Sequence, residues 1–203
     1  MVFSTPVSFL GKNVYNRDII LIFEVKVMYK ICKTPKSEAR QLEFQETLLR
    51  MLEKQKMKDI TIVSLCQEMG ISRKTFYQYF DTIEDVLYMI VDKELRNGFL
   101  ILEIKPKING FFDFWRQKKS LLDILERNEL SQILVDRAYS ISALDDKTEL
   151  FTMQHMKYAG WISSIMTVLI LWHHGGMQQT SSQMEQMLWD MFHLDEKIRQ
   201  KFL

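Results

Sequence analysis

The chain has 203 residues, 47% of them hydrophobic and 26% charged, with only seven Gly and three Pro. That length can bury a core without disulfide or metal staples, and the composition excludes global disorder. With 27 basic and 26 acidic residues the formal net charge is +1, so no global field draws the protein to nucleic acid or a membrane, and any such binding rests on a local patch. Two cysteines, Cys32 and Cys66, make no disulfide framework and stand in no metal-ligand spacing, which fits a reducing cytoplasm. Few turn-formers imply few connections, and thirteen Met with thirteen Phe imply an adaptable, aromatic-rich interior. The expectation is an all-α fold.

Residues 1–33 read differently from the rest. Gly11, Asn13 and Asn16 lead into the apolar run Ile19–Phe23, which carries no helical stripe. Two readings stay open: an ordered N-terminal arm, or a reading frame opened too early. Codons for Glu24-Val25 can resemble a bacterial ribosome-binding site just ahead of Met28, so translation is expected to start at Met28. Intact mass of the native protein tests this.

The helical signal begins at Ser37. Leu42, Phe44, Leu48, Leu49, Met51 and Leu52 recur at helical spacing, with Glu38, Arg40, Glu43, Glu46, Arg50 and Glu53 largely on the other side. This helix is expected to end in the basic cluster of Lys54, Lys56 and Lys58, which complements its dipole. Thr61 then caps a short helix that buries Ile62, Leu65, Cys66 and Met69. Gly70 breaks it, and Ser72 caps the next helix, expected through Phe80. Thr82 and Asp85 form a capping-box pattern opening a longer helix to about Leu100, with the stripe Leu87, Ile90, Val91, Leu95 and Phe99.

After Pro106, Ile108, Phe111, Phe112 and Trp115 mark one helix, and Leu121, Leu122, Ile124 and Leu125 another. Leu130, Ile133, Leu134 and Tyr139 indicate a third, and a long one is expected from about Lys147 to His173. Its apolar run Ala159–Trp172 falls short of the roughly 20 residues of a membrane span and reads as a buried helix. Gly175-Gly176 ends it, and Ser182 with Glu185 is expected to cap a final helix through Met187, Leu188, Met191 and Phe192.

The informative stretch is Ile60 to Phe80, ITIVSLCQEMGISRKTFYQYF. A helix-turn-helix needs a support helix, a tight turn and a second helix with polar residues facing out. Gly70 tolerates positive φ, Ile71 plugs the core and Ser72 caps. Arg73, Lys74, Thr75, Tyr77 and Gln78 then point outward, while Phe76 and Phe80, four apart, anchor inward. Arg73 and Gln78 can read base edges; Lys74, Tyr77 and Tyr79 can hold phosphates. Thr61, Ser72 and Thr75 complete the expected DNA-binding set. From Met28 to Phe80 ten Lys and Arg stand against six Asp and Glu, a local excess the whole chain lacks.

This stretch resembles the TetR family of bacterial transcription regulators, whose signature runs roughly Gly-Val/Ile-Ser-x-x-Thr-Phe/Leu-Tyr-x-Tyr/His-Phe. Gly70, Ile71, Ser72, Thr75, Phe76, Tyr77, Tyr79 and Phe80 match it in order. The resemblance covers about Ser37 to Leu100. It implies an N-terminal three-helix helix-turn-helix domain (34–82), joined by a long helix to a C-terminal helical bundle (83–203) for dimerisation and ligand binding. Many members carry a phosphate-binding Lys at the third residue past that Phe. Ile83 stands there instead, though the helix N-terminus can still receive a phosphate oxygen.

In the second half, Phe111, Phe112, Trp115, Tyr139, Met153 and Tyr158 are candidates to line an apolar effector pocket. Trp161, Ile165, Leu169 and Trp172, with Met184, Met187, Leu188 and Met191, give two strongly apolar helices fit for a two-fold dimer. His173 and His174, adjacent on a helix, point different ways, do not easily share one ion, and read as a helix-end pair facing the dipole. No HExxH or clustered Cys/His pattern occurs, and Ser163 and Ser164 lack a nucleophile-elbow context. No metal, cofactor or catalytic residue is expected.

The expected function is a cytoplasmic homodimeric regulator, not an enzyme. It binds a palindromic double-stranded DNA operator, represses, and is modulated by a small-molecule effector. Its rival is a partner-binding adaptor that keeps the fold with weak DNA affinity.

Overall fold

A computed structural model describes residues 29, 30, 32, 34–104, 108–142 and 153–192. Among these residues there are nine α-helices, one 3-10 turn and no strand. The chain is all-α.

Helix α1 (Pro35–Leu52) begins where Thr34 and Ser37 satisfy each other's backbone N–H groups in a reciprocal cap, with Pro35 at the first helical position. It ends at Leu52, short of the basic cluster. A 3-10 turn, Met57–Asp59, takes up the intervening chain. Leu42 is solvent-exposed, whereas Phe44, Leu48 and Leu52 are fully buried, so the buried stripe is narrower than the run of apolar residues.

Helix α2 (Ile62–Glu68) is capped by Thr61 and Ser64. It closes with the Gly70 N–H donating to the Gln67 carbonyl and the Ile71 N–H donating to the Cys66 carbonyl. That double closure needs a left-handed residue, and Gly70 supplies it at φ +64°. Helix α3 (Arg73–Phe76) starts on the Ser72 cap, whose Oγ accepts from the Thr75 N–H. It is shorter than expected. Beyond Phe76 the chain tightens into turns, with the Gln78 and Tyr79 N–H groups donating three residues back, before Phe80 returns to Phe76. Phe44 meets Phe76 and Phe80 edge-on, at centroid distances of 5.6 and 5.4 Å, so three aromatic rings close this end of the molecule.

Helix α4 (Ile83–Ile104) opens on the expected Thr82–Asp85 reciprocal cap. It packs against α1, against α5 (Ile108–Gln117) and against α7 (Ile133–Ser142). Between α5 and α7 lies α6 (Lys119–Arg127). The start expected for the long helix at Lys147 lies outside the described residues, within which it spans Met153–His174 as α8. Ile162, Ile165, Met166, Leu169 and Trp172 are buried, leaving Gly160, Thr167 and Leu171 as its outer face. No helix among the described residues is long and apolar enough to cross a membrane.

The turn after α8 repeats the closure of α2. Gly176, at φ +77°, donates to the His173 carbonyl while the Met177 N–H donates to the Trp172 carbonyl. Arg116 of α5 lies over the Trp172 ring at 4.7 Å and donates to the carbonyls of Met177 and Gln179, fastening this turn to the core. Helix α9 (Ser181–Phe192) is capped by Thr180 and Gln183, not by Ser182 and Glu185. Glu185 instead reaches across to accept from the Ile108 N–H at 3.2 Å, occupying the start of α5. His173 and His174, expected to diverge, both turn toward Glu126 of α6.

Buried between α4 and α7, Arg137 donates two hydrogen bonds to Asp92, at 2.7 and 2.6 Å. Both side chains are almost fully shielded, and the Tyr29 hydroxyl donates to the second Asp92 oxygen at 3.1 Å. Tyr29, ahead of α1, is thereby tied to α4 and through Asp92 to α7.

Candidate nucleic-acid interface

The Phe76 and Phe80 anchors fix which way α3 faces. Arg73 and Lys74 of α3 and Tyr77 and Gln78 of the turn after it are exposed, and Tyr77 keeps 47% of its surface in solvent. Thr75 and Tyr79 are half-buried. Tyr79 leans on Phe44 with centroids 5.7 Å apart, so packing claims much of its ring. Ser72 and Thr61 are exposed, and both spend their hydroxyls on helix caps, a structural role that a phosphate contact would have to share. Arg73 lies near the buried thiol of Cys66, whose pKa burial raises and the guanidinium partly restores.

The cationic surroundings are uneven. Lys54 and Lys58 are exposed, whereas Lys56 donates to the carbonyl of Arg127 at the end of α6. Lys30, which the sequence did not single out, donates to the Tyr77 carbonyl at 2.6 Å and pairs with Asp81 at 2.9 Å. It places an ammonium at the Tyr77 end of the exposed set. Nothing local in the sequence signals this, since Lys30 stands 47 residues before its carbonyl partner.

Gly70 takes the turn, Ser72 caps α3, Tyr77 is exposed and the Phe76 and Phe80 rings are buried. This part of the chain resembles the TetR family of transcriptional regulators. No protein-family profile matches the chain. Among curated proteins it is similar to the HTH-type transcriptional regulator EthR of Mycobacterium tuberculosis, in strains H37Rv and CDC 1551, and of Mycobacterium bovis. Identity to each is 33% over 69 residues, covering 34% of this chain and 32% of the relative. The chain therefore matches about a third of the length of these relatives. Against the TetR-family pattern, Ile83 departs from the usual Lys. Its side chain is 7% exposed and belongs to the core, so it offers nothing to a phosphate.

The residues proposed for the second half fall into distinct settings. Phe111, Phe112 and Trp115 are fully buried and pack on one another, with centroid distances of 5.7 and 6.2 Å from Phe111. The Trp115 indole N–H has no hydrogen-bond partner among the described residues. Tyr139 is exposed on α7. The side chains of Met153 and Tyr158 lie outside the described residues. Ile165, Leu169, Trp172, Met184 and Leu188 are buried within the protomer, and Trp161 is half-buried. Met187 and Met191 face outward, joined by Leu171 and Trp189, which the sequence pattern did not pick out.

Proposed function

We propose that the chain is a sequence-specific DNA-binding transcriptional regulator, a repressor that acts in the cytoplasm as a homodimer on a palindromic operator. In this reading 34–82 holds the DNA, 83–203 regulates and dimerises, and no residue is catalytic. The observation that carries it is the exposed set of Arg73 and Lys74 on α3 with Tyr77 and Gln78 on the turn that follows, backed by the buried Phe76 and Phe80. Curated relatives named as HTH-type transcriptional regulators support the same class.

The dimer reading rests on exposed apolar side chains of the last two helices, Leu171 of α8 at 65% exposure and Met187 and Met191, four apart on one side of α9. A two-fold pair would present two α3 helices to half-sites about 34–36 Å apart. An effector in the second half would act by favouring one spacing over the other, because only differential affinity shifts such an equilibrium.

The test is fluorescence anisotropy with DNA from upstream of the protein's own gene against a scrambled duplex, at two salt concentrations. Tight, salt-dependent preference for the native DNA is expected. Arg73→Ala is expected to weaken or relax specific binding, and Lys74→Ala to lower the salt slope by about one. Equal, weak binding to both duplexes, unmoved by either substitution, would favour the second reading, a partner-binding adaptor. The buried Ile83 is the observation on that side.

A further inference from the structure

We infer that α6 and α8 form a site for a divalent first-row transition-metal ion, with Asp123, Glu126 and His173 as ligands, and that its occupancy reports to the DNA-facing end of the molecule. The inference rests on the regulator reading for its second half only. Asp123 and Glu126 are three apart on α6 and so share a face, and His173 comes from the last turn of α8.

One oxygen of each carboxylate and one ring nitrogen of His173 lie within 4.8 Å of one another. Three ligands around a tetrahedral ion, each about 2.1 Å from it, are separated by roughly 3.4 Å. Rotation of two carboxylates that keep 44% and 39% of their surface in solvent closes that difference. The imidazole is the fixed element, with its side chain only 6% exposed.

His173 Nε2 lies 2.8 Å from Asp123 and Nδ1 lies 3.3 Å from Glu126, so each carboxylate approaches a different ring nitrogen. An ion held on one nitrogen is reached by the second carboxylate once that half-exposed side chain swings across. Lys119 contributes one positive charge by pairing with Asp123 at 2.7 Å. Two carboxylates and a neutral imidazole still leave the cluster net negative, which favours a divalent ion. His174, on the solvent side, also reaches Glu126. Mixed imidazole and carboxylate donors select zinc, nickel or cobalt over magnesium or calcium.

The position is what gives the site a use. One residue past Glu126, the Arg127 guanidinium donates to the Glu53 carbonyl at 2.9 Å, and Lys56 donates back to the Arg127 carbonyl. Asn128 accepts from the Met57 N–H at 2.8 Å. The end of α6 thus grips the α1–α2 connection, and drawing Glu126 toward His173 moves that grip.

The experiment uses the full chain, tag removed and chelator-treated. Zinc and magnesium binding are measured by calorimetry, and anisotropy on operator DNA is read with and without zinc. One zinc ion per chain is expected, with no magnesium binding, and Asp123→Asn and Glu126→Gln are expected to weaken zinc about tenfold or more. These two variants are near-isosteric and partly exposed, so they leave the fold intact. Absent zinc binding, or equal binding by both variants, would overturn the site. Zinc binding by a chain that reads its operator with unaltered affinity would overturn the coupling. If no DNA is bound at all, calorimetry still decides the site, and the regulator reading alone fails.

Discussion

Asp92 is the most consequential single side chain in the core. It is fully buried, and its charge is tolerated because Arg137 meets both oxygens while Tyr29 adds a third hydrogen bond. The Arg137 guanidinium also lies over the Tyr88 ring at 5.2 Å. Removing one partner strands the other charge in a medium of low polarity. Arg137→Ala is therefore expected to cost about 3–5 kcal/mol in chemical denaturation, whereas replacing the pair with apolar residues of similar volume restores much of the loss. Tyr29 offers a pH test of the same cluster. Burial and then the Asp92 charge push its pKa up to about 12 from 10.0. The folded state holds that proton more tightly than the unfolded one. The corresponding stability is complete below pH 10 and is lost as pH rises toward 12. Tyr29→Phe is expected to remove that alkaline step from a stability–pH curve. None of these partnerships is legible in the sequence, because Tyr29, Asp92 and Arg137 are separated by 63 and 45 positions.

Among the helices and turns, the Gly70 turn is the clearest case of local chemistry setting geometry. A Cβ added at Gly70 meets nothing within 4 Å, so space is not what excludes other residues; the φ of +64° is. Gly70→Ala is expected to destabilise by about 1–2 kcal/mol through backbone strain alone, with Gly70→Asn milder because Asn tolerates this region. A thermal melt of both variants checks the order. Caps were readable where donor and acceptor stand three apart, as with Thr61, Ser72 and Thr82. At α9 two such patterns overlapped. Thr180 with Gln183 won because Glu185 was recruited across space to the start of α5. The short α3 was unreadable for a related reason: the Phe76 and Phe80 rings must both reach Phe44, and the chain tightens beyond Phe76.

For the molecule as a whole, the open question is association. Leu171 of α8 and Met187 and Met191 on one side of α9 are solvent-exposed. Leu171→Glu combined with Met187→Glu is expected to leave the protomer folded and shift it to a monomer in sedimentation. An unchanged assembly state would remove these side chains from the dimer reading. The same variant is expected to lose operator affinity steeply, since one half-site contributes only part of the binding free energy.

Composition and periodicity were enough for helix content, the order of the helices and the exposed set on α3 and the turn after it, because those follow from interactions within a few residues of one another. Gly70, Ser72, Phe76 and Phe80 carry that information in a continuous stretch. Folding assigned the rest. It put Leu42 outside and Leu48 inside, buried most of the apolar residues of α8 within one protomer, placed Lys30 beside Tyr77, and turned two histidines onto one carboxylate. Each of those outcomes depends on which helix faces arrive at the same place, and pairings between distant positions leave no periodic trace in the chain that makes them.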